Sequence, residues 1–304
     1  MEKHWQFPKA YPTDPATPFS ISFISPYSFR LKINTRNKDL TTDESLMIAD
    51  LQEQAPESYN WKVEDDGKVI TYTGERGTIK VTRNPWSIEV VDPNGKRIIK
   101  TQTIHDSVSL KNDDPHPFSF VNKPSNKSQA IAASFTLSPN EKIYGTGESF
   151  TRLNKRGQKV ELYTRDAMGT MSQDMYKPIP FYLSSNGYGV FTHTSAPTTY
   201  DFGHTMDDTQ TIYSADESLD LFFFLGNPKE VLTEYTNLTG KASMPPLWSF
   251  GLWMSRISYF SEEEVRDVAK KIRDHKIPTD VIHIDTGWFE EDWRCNYKFS
   301  ESRF

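Results

Sequence analysis

Asp285 closes a short apolar run, Val281-Ile-His-Ile284, and Thr286-Gly-Trp288-Phe289 follow at once. A carboxylate at the C-terminal end of a strand, with aromatic rings beside it, is the arrangement at the rim of an α/β barrel, where active sites are built. The plainer alternatives for Asp285 are a helix N-cap or a surface ion pair. For Trp288 and Phe289 the plainer role is a plug beneath the rim. Other chemistry-bearing residues lack the spacing that chemistry needs. His193, His204 and His283 show no metal-ligand spacing such as His-x3-His, so no metal is expected. His283 alternates with Ile282 and Ile284 and reads as a satisfied core histidine. Tyr144-Gly-Thr-Gly147 is too short for a dinucleotide loop, and no helix follows it. Cys295 has no neighbour that would activate it.

The elements that must position Asp285 lie in the last stretch of the chain. Leu247 to Met254 is a short apolar run, as expected of a strand buried on both faces. Trp248 and Trp253 are expected to be buried there. Ser261-Glu-Glu-Glu264 predicts a helix start with Ser261 as N-cap and Glu264 reaching back. Val265, Val268, Ala269 and Ile272 form the inward stripe of that helix. Acidic residues in its first turn and Lys270, Lys271 and Arg273 toward its end suit the helix dipole. Strand, helix and strand make one unit of a barrel that needs eight. The chain is therefore expected to be the front part of an enzyme whose chemical apparatus lies mostly beyond Phe304.

Upstream the period is two. Runs at 29–33, 68–72, 78–82, 86–91, 129–135, 189–193, 211–213 and 219–225 read as strands. Asp65-Asp-Gly67, Gly74-Glu-Arg-Gly77 and Asp92-Pro-Asn-Gly95 are turns between some of them. Short runs at this spacing predict an antiparallel β-sandwich. Residues 1–27 are expected to be irregular or edge structure, and 103–128 a connection. Residues 228–238 predict a helix with Val231, Leu232, Tyr235 and Leu238 on one face. Met244-Pro-Pro246 reads as a linker. The expected fold is mainly β, with a sandwich over 28–240 and, over 241–304, the first βαβ segment of an incomplete (β/α)8 barrel.

The composition narrows the function classes. The 304 residues include 36% hydrophobic, 25% charged and 13% aromatic residues, with a net charge of −6. Aromatic enrichment argues against disorder and suits a β-rich fold. No basic stripe points to nucleic acid. No apolar run reaches ~18 residues, so no membrane span is expected. One cysteine, and no basic-then-apolar leader, fit a cytoplasmic protein. The sequons at Asn126 and Asn237 are then chance matches.

Five blocks occur in one order: Ile143-Tyr-Gly-Thr-Gly-Glu148, Tyr176-Lys-Pro-Ile-Pro-Phe-Tyr182, Gly187-Tyr-Gly-Val-Phe191, Pro246-Leu-Trp-Ser-Phe-Gly-Leu-Trp253 and Ile284-Asp285. In this order they resemble glycoside hydrolase family 31, the α-glucosidases and α-xylosidases, from about Phe29 to Phe304. The resemblance implies a retaining mechanism. One Asp attacks the anomeric carbon, and a second protonates the leaving oxygen and then activates water. In the family both come from later barrel strands, and no position here matches either. Catalytic residues are therefore assigned to none of these 304 positions. Asp285 matches a family Asp that grips sugar hydroxyls, and Trp288 offers a ring face for a pyranose. By position Asp166, in the loop of residues 163–176, resembles an Asp on a loop that reaches over the barrel mouth. Glu148 is expected to be structural, fixing its turn through backbone hydrogen bonds.

The resemblance implies an oligosaccharide or glycoside substrate, no metal or organic cofactor, and room for oligomerisation. Asp285-Thr-Gly-Trp288 departs from both family patterns, Asp-Cys-Phe-Trp in the α-xylosidase branch and Asp-Ile-Asp-Tyr in many α-glucosidases. Trp288 leans toward the xylosidase side, and Gly287 would leave room near the sugar C6. Two competing readings are a non-catalytic carbohydrate-binding or structural β-sandwich module, and a remnant that cannot fold properly. The βαβ tail argues against the module as a complete account.

Overall fold

The computed structural model describes residues 18–34, 45–102, 118–123, 128–167, 169, 172–291 and 293–304. They fall into two compact units, one ending at Lys241 and one spanning Ala242–Phe304. Asn126, whose sequon was read as a chance match, and the stretch 103–117 lie outside the described residues.

The first unit is built almost wholly of strands. Its first half carries β1 (Phe19–Ser25), β2 (Ser28–Asn34), β3 (Lys62–Asp65), β4 (Val69–Thr73), β5 (Thr78–Arg83), β6 (Trp86–Val91), β7 (Arg97–Lys100) and β8 (Phe118–Lys123). Its second half carries β9 (Ser128–Thr136), β10 (Ile143–Gly147), β11 (Lys159–Leu162), β12 (Pro178–Ser184), β13 (Tyr188–Thr192), β14 (Thr198–Phe202), β15 (Thr209–Ser214) and β16 (Ser218–Leu225). Among the described residues one α-helix, α1 (Pro228–Thr239), closes the unit.

These strands form three antiparallel sheets. A six-stranded sheet runs β1-β2-β16-β13-β12-β10, and a five-stranded sheet runs β11-β14-β15-β9-β8. A second five-stranded sheet is the meander β3-β4-β5-β6-β7. One core joins all three: Leu31 and Phe223 from the first, Phe135 and Ile212 from the second, Ile79 and Val90 from the third. Phe29 and Phe223 stack across β2 and β16 at 4.8 Å between ring centroids. Burying each such side chain stabilises the fold by about 1.5–3 kcal/mol relative to exposure.

The alternation read in 219–225 has a further meaning. Leu219, Leu221 and Phe223 face the main core, while Phe222 and Phe224 face a second cluster with Val231 and Leu238 of α1. β16 is thus buried on both faces, which explains its Leu-Phe-Phe-Phe-Leu composition. β2 is buried almost throughout for the same reason. Its Arg30 turns to the second face and donates to both Asp220 oxygens at 2.6 Å. His193 Nδ1 meets the same carboxylate at 2.8 Å. The α1 start is a full capping box, with the Asn227 side chain taking the Glu230 N–H and Glu230 taking that of Asn227. On α1, Val231 and Leu238 are buried as expected, but Leu232 is exposed, because the covered stripe is narrower than the apolar pattern.

Residues 19–25, expected to be irregular or edge structure, form the edge strand β1. One described segment of the first unit differs from expectation. Within 103–128, expected to be a connection, 118–123 pairs with β9 as β8.

The second unit carries β17 (Trp253–Ser255), α2 (Glu262–Asp274), β18 (Val281–His283), β19 (Phe289–Glu291) and β20 (Arg294–Phe299). β17 and β18 pair in parallel, Trp253 with Val281 and Ser255 with His283, so strand, helix and strand form the expected βαβ segment. The barrel part is incomplete. Its first strand is shorter than predicted, because Leu247–Phe250 coils into a 3-10 turn after Pro246. That turn closes locally, with Ser249 Oγ donating to the Pro246 carbonyl at 2.7 Å. Trp248 and Trp253, expected to be buried, are exposed, and so is His283, expected in the core. The reason is a small core: Tyr259, Val268 and Ile272 are buried, with Met254, Val265, Ile282 and Ile284 packed on them. Half of the expected capping box forms at α2. Ser261 Oγ accepts the Glu264 N–H at 3.1 Å, while the Glu264 carboxylate turns to Phe260 N–H and Arg256. The antiparallel hairpin β19–β20 has no counterpart in the sequence reading.

Candidate substrate-binding site

Asp285 lies two residues past the end of β18. Its backbone sits in the left-handed region, at φ 64°, where Asp is one of the few non-glycine residues tolerated. It bridges Ser258 in antiparallel fashion, so the strand is held while the chain turns away. Thr286 Oγ1 and Ser258 Oγ lie 2.8 Å apart and latch the same two loops. Gly287 is buried against the backbone of Tyr259. A Cβ there would lie 2.2 Å from the Tyr259 carbonyl oxygen, so glycine is required by close packing. That corrects the expectation that Gly287 opens room for a sugar C6.

The half-buried Asp285 carboxylate has no hydrogen bond or ion pair among the described residues. Neither plain alternative, N-cap or surface ion pair, describes it, because the chain runs on into β19. Trp288 is half-buried in an aromatic group, 4.4 Å from Phe289 and 4.7 Å from Phe299 between ring centroids. Its packing has the form of a plug. Trp253 keeps its indole N–H on the Ser249 carbonyl at 3.0 Å.

Asp166 belongs to the first unit. Its loop is pinned where Arg165 N–H donates to the Met175 carbonyl at 3.1 Å and Thr164 bridges Met175. The exposed Asp166 carboxylate accepts a hydrogen bond from Tyr176 Oη. That bond raises the Tyr176 phenol above its usual value. Arg165 pairs with Glu161 at 2.9 Å and lies 3.6 Å from Asp174. Of the three methionines in this loop, Met175 is buried, and Met168 and Met171 lie outside the described residues.

Beside this loop is a cavity of about 710 Å³ that sequence reading did not anticipate. Phe150, Leu153, Lys155, Asp174, Met175 and Tyr176 are among its lining. Its wall depends on an unusual backbone. Gly145, Thr146 and Gly147 all have positive φ, at 114°, 72° and 88°. A Cβ on Gly147 would lie 2.1 Å from the Lys177 carbonyl, so only glycine lets this bulge lie against β12. Thr146, a β-branched residue, is forced into the left-handed region, and its buried Oγ1 finds no partner among the described residues. The Tyr-Gly-Thr-Gly block thus earns its residues by geometry. Glu148 fixes the turn only through its backbone, whose N–H donates to Lys177 O at 3.1 Å. Its side chain is exposed, 3.6 Å from Lys177 Nζ. Among the described residues no cluster of His, Cys, Asp and Glu could hold a metal, and Cys295 is a free, exposed thiol.

Comparison with known proteins places this geometry. Residues 18–201 match the glycosyl hydrolase 31 N-terminal galactose mutarotase-like domain, and residues 242–304 match the family 31 TIM-barrel domain. The α-xylosidase XylQ of Lactiplantibacillus pentosus is 42% identical over 167 residues, 54% of this chain and 22% of that protein. An α-xylosidase of Emericella nidulans is 37% identical over 175 residues, 57% of this chain and 22% of that protein. The chain therefore spans only part of the length of the curated relatives it matches. In structure it is similar to a family 31 dextranase of Flavobacterium johnsoniae, solved with glucose, at a TM-score of 0.77 and 23% identity. That match covers 94% of this chain and 33% of the dextranase. With the family's two domain models matched in order along the sequence, this chain belongs to glycosyl hydrolase family 31.

Proposed function

We propose that this chain is the N-terminal part of a retaining exo-α-glycosidase that removes terminal α-xylosyl or α-glucosyl residues. The observation that carries the proposal is Asp285: a carboxylate past a barrel-type strand, held by Ser258 and without a hydrogen-bond or ion-pair partner among the described residues. In this role the ionised carboxylate accepts hydrogen bonds from two sugar hydroxyls. It also stabilises positive charge as the ring approaches an oxocarbenium-like transition state. Its left-handed backbone turns the chain away from the strand axis, which suits a side chain presented at a rim. Asp166, held by Tyr176, is proposed as a second sugar contact.

The α-xylosyl reading comes first. It is supported by the relatives at 42% and 37% identity, both named α-xylosidases, and by Trp288 in the Asp285-Thr-Gly-Trp288 tetrad. A cytoplasmic setting is part of the same proposal. Nucleophile and acid/base are assigned to no residue here, so the 304-residue chain by itself is proposed to be inactive. Binding and positioning without those two carboxyls leave out the covalent and proton-transfer steps on which such catalysis rests.

The test is direct. Purified chain is assayed on aryl α-xyloside and aryl α-glucoside. Turnover at the level of a matched blank is expected. Turnover well above it, abolished by substitution of one Asp or Glu within the chain, would overturn the reading.

A further inference from the structure

The cavity of the first unit holds a charge that the fold leaves partly unanswered. Lys155 is 4% exposed. Among the described residues its ammonium meets only hydroxyls, Ser149 Oγ at 3.0 Å and Thr151 Oγ1 at 2.7 Å, and these two lie 3.0 Å from each other. Lys155, Ser149 and Thr151 all line the cavity. Among the described residues no carboxylate pairs with Lys155. A lysine ammonium has three N–H donors, and two are used. Burying a cation without a countercharge is costly, and burial lowers this lysine's pKa accordingly. Groups kept in such a state are concentrated at ligand sites.

The rest of the wall decides which ligand fits. Phe150, Leu153 and Tyr176 are exposed, at 66%, 78% and 60%, and supply apolar surface around the same cavity. Tyr176 is held in place by its bond to Asp166. Glu148 and Asp174 also line the cavity. Although Lys177 and Arg165 each lie 3.6 Å from one of them, two carboxylates on the wall disfavour an anion. A cation would face Lys155, and a wholly apolar ligand would leave its third N–H without an acceptor. A neutral polyhydroxyl ring satisfies all of these groups. Its oxygens accept from Lys155, its hydroxyls donate to Glu148 or Asp174, and its C–H face lies on an aromatic ring. The volume of about 710 Å³ is in the range of small-ligand sites.

We propose that this cavity is a glycan-binding subsite built entirely from the sandwich unit, taking a neutral pyranosyl residue with Lys155 Nζ as donor and Phe150 and Tyr176 as apolar platforms. It rests on the proposed glycosidase function only for the choice of sugar.

The experiment titrates the full chain with methyl α-D-xylopyranoside and methyl α-D-glucopyranoside, followed by saturation-transfer NMR, with sodium sulfate as the anion control. The parent chain, Lys155→Met, Phe150→Ser and Asp285→Asn are compared. Saturable binding of at least one glycoside is expected. Phe150→Ser and Lys155→Met should each weaken it by about fivefold or more, the scale of one lost contact. Asp285→Asn should leave that part of the binding intact. Phe150 is exposed, so its variant carries the test if Lys155→Met does not fold. Absence of saturable binding by either glycoside overturns the proposal. So does binding indifferent to Phe150→Ser, or sulfate binding that displaces the sugar. Failure of the glycosidase reading shows elsewhere, in an Asp285→Asn enzyme of normal activity, so the two failures are distinguishable.

Discussion

The two units cover their large side chains to different extents. In the sandwich, Phe222 and Phe224 are both 0% exposed, although they lie on the face away from the main core. In the βαβ unit, Leu247 is 88% and Tyr297 89% exposed. Two carboxylates show the same contrast. Asp220 in the sandwich is answered by Arg30 and His193, whereas Asp285 in the βαβ unit is answered by nothing among the described residues. A carboxylate already saturated by protein donors serves stability. One left free at a strand end can serve a ligand. On the proposed reading, the first carboxylate belongs to the scaffold and the second to the substrate site.

The largest expected effect breaks the sandwich. Phe223→Ala should destabilise the chain by about 3–5 kcal/mol in urea denaturation, because Phe223 is fully packed between Phe29 and Phe135. A loss below 1 kcal/mol would mean that the shared core is far looser than its packing.

The buried ion pair comes next. Burial works against the ionised form of Asp220, but hydrogen bonds from Arg30 and His193 outweigh it and hold the carboxyl below its usual value. A depressed carboxyl contributes stability above its unfolded pKa of roughly 3.9, and that contribution is lost as pH falls through the lower folded value. Asp220→Asn should therefore cost about 3 kcal/mol at neutral pH, by leaving Arg30 short of a partner in the interior. The gap between variant and parent should close as the pH drops below about 4. Parallel unfolding curves at both pH values would argue against the pairing.

For Asp285 the same substitution should act on chemistry and spare stability. In the enzyme carrying the complete barrel, Asp285→Asn should lower kcat/KM by about a hundredfold or more, in kcat as well as KM, with the melting temperature unchanged. The side chain keeps its size and loses the charge that strengthens its bonds as the ring becomes cationic. A lower melting temperature with near-normal kinetics would make Asp285 structural.

The smallest effect sharpens the contrast. Trp248 is 55% exposed, so Trp248→Gln should change the stability of this chain by no more than about 0.5 kcal/mol. A cost comparable to that of Phe223→Ala would show that the βαβ unit has a hidden core.

Much of the fold was legible because it rests on local chemistry. The runs at 78–82 and 86–91 became β5 and β6, and Ser261 capped α2 as predicted. The position of Asp285 past a strand was legible too. The Gly-rich block at 143–148 pointed to a special turn, but its three positive φ values were not readable from letters alone. β8 and the hairpin β19–β20 were missed, since their alternation is short or interrupted by turn-forming residues.

The sequence by itself determined the period-two strands, the helix starts and the order of the family's blocks. All of these depend on backbone geometry and neighbours a few residues apart. Tertiary structure decided what covers each face: that α1 buries the outer side of β16, that Trp248, Trp253 and His283 are exposed, and that Gly287 fits under Tyr259. It also decided that Lys155, Ser149 and Thr151 share a cavity with Tyr176. The physical reason is that hydrogen-bond periodicity is local, whereas burial and the pairing of charges depend on surfaces brought together from distant parts of the chain.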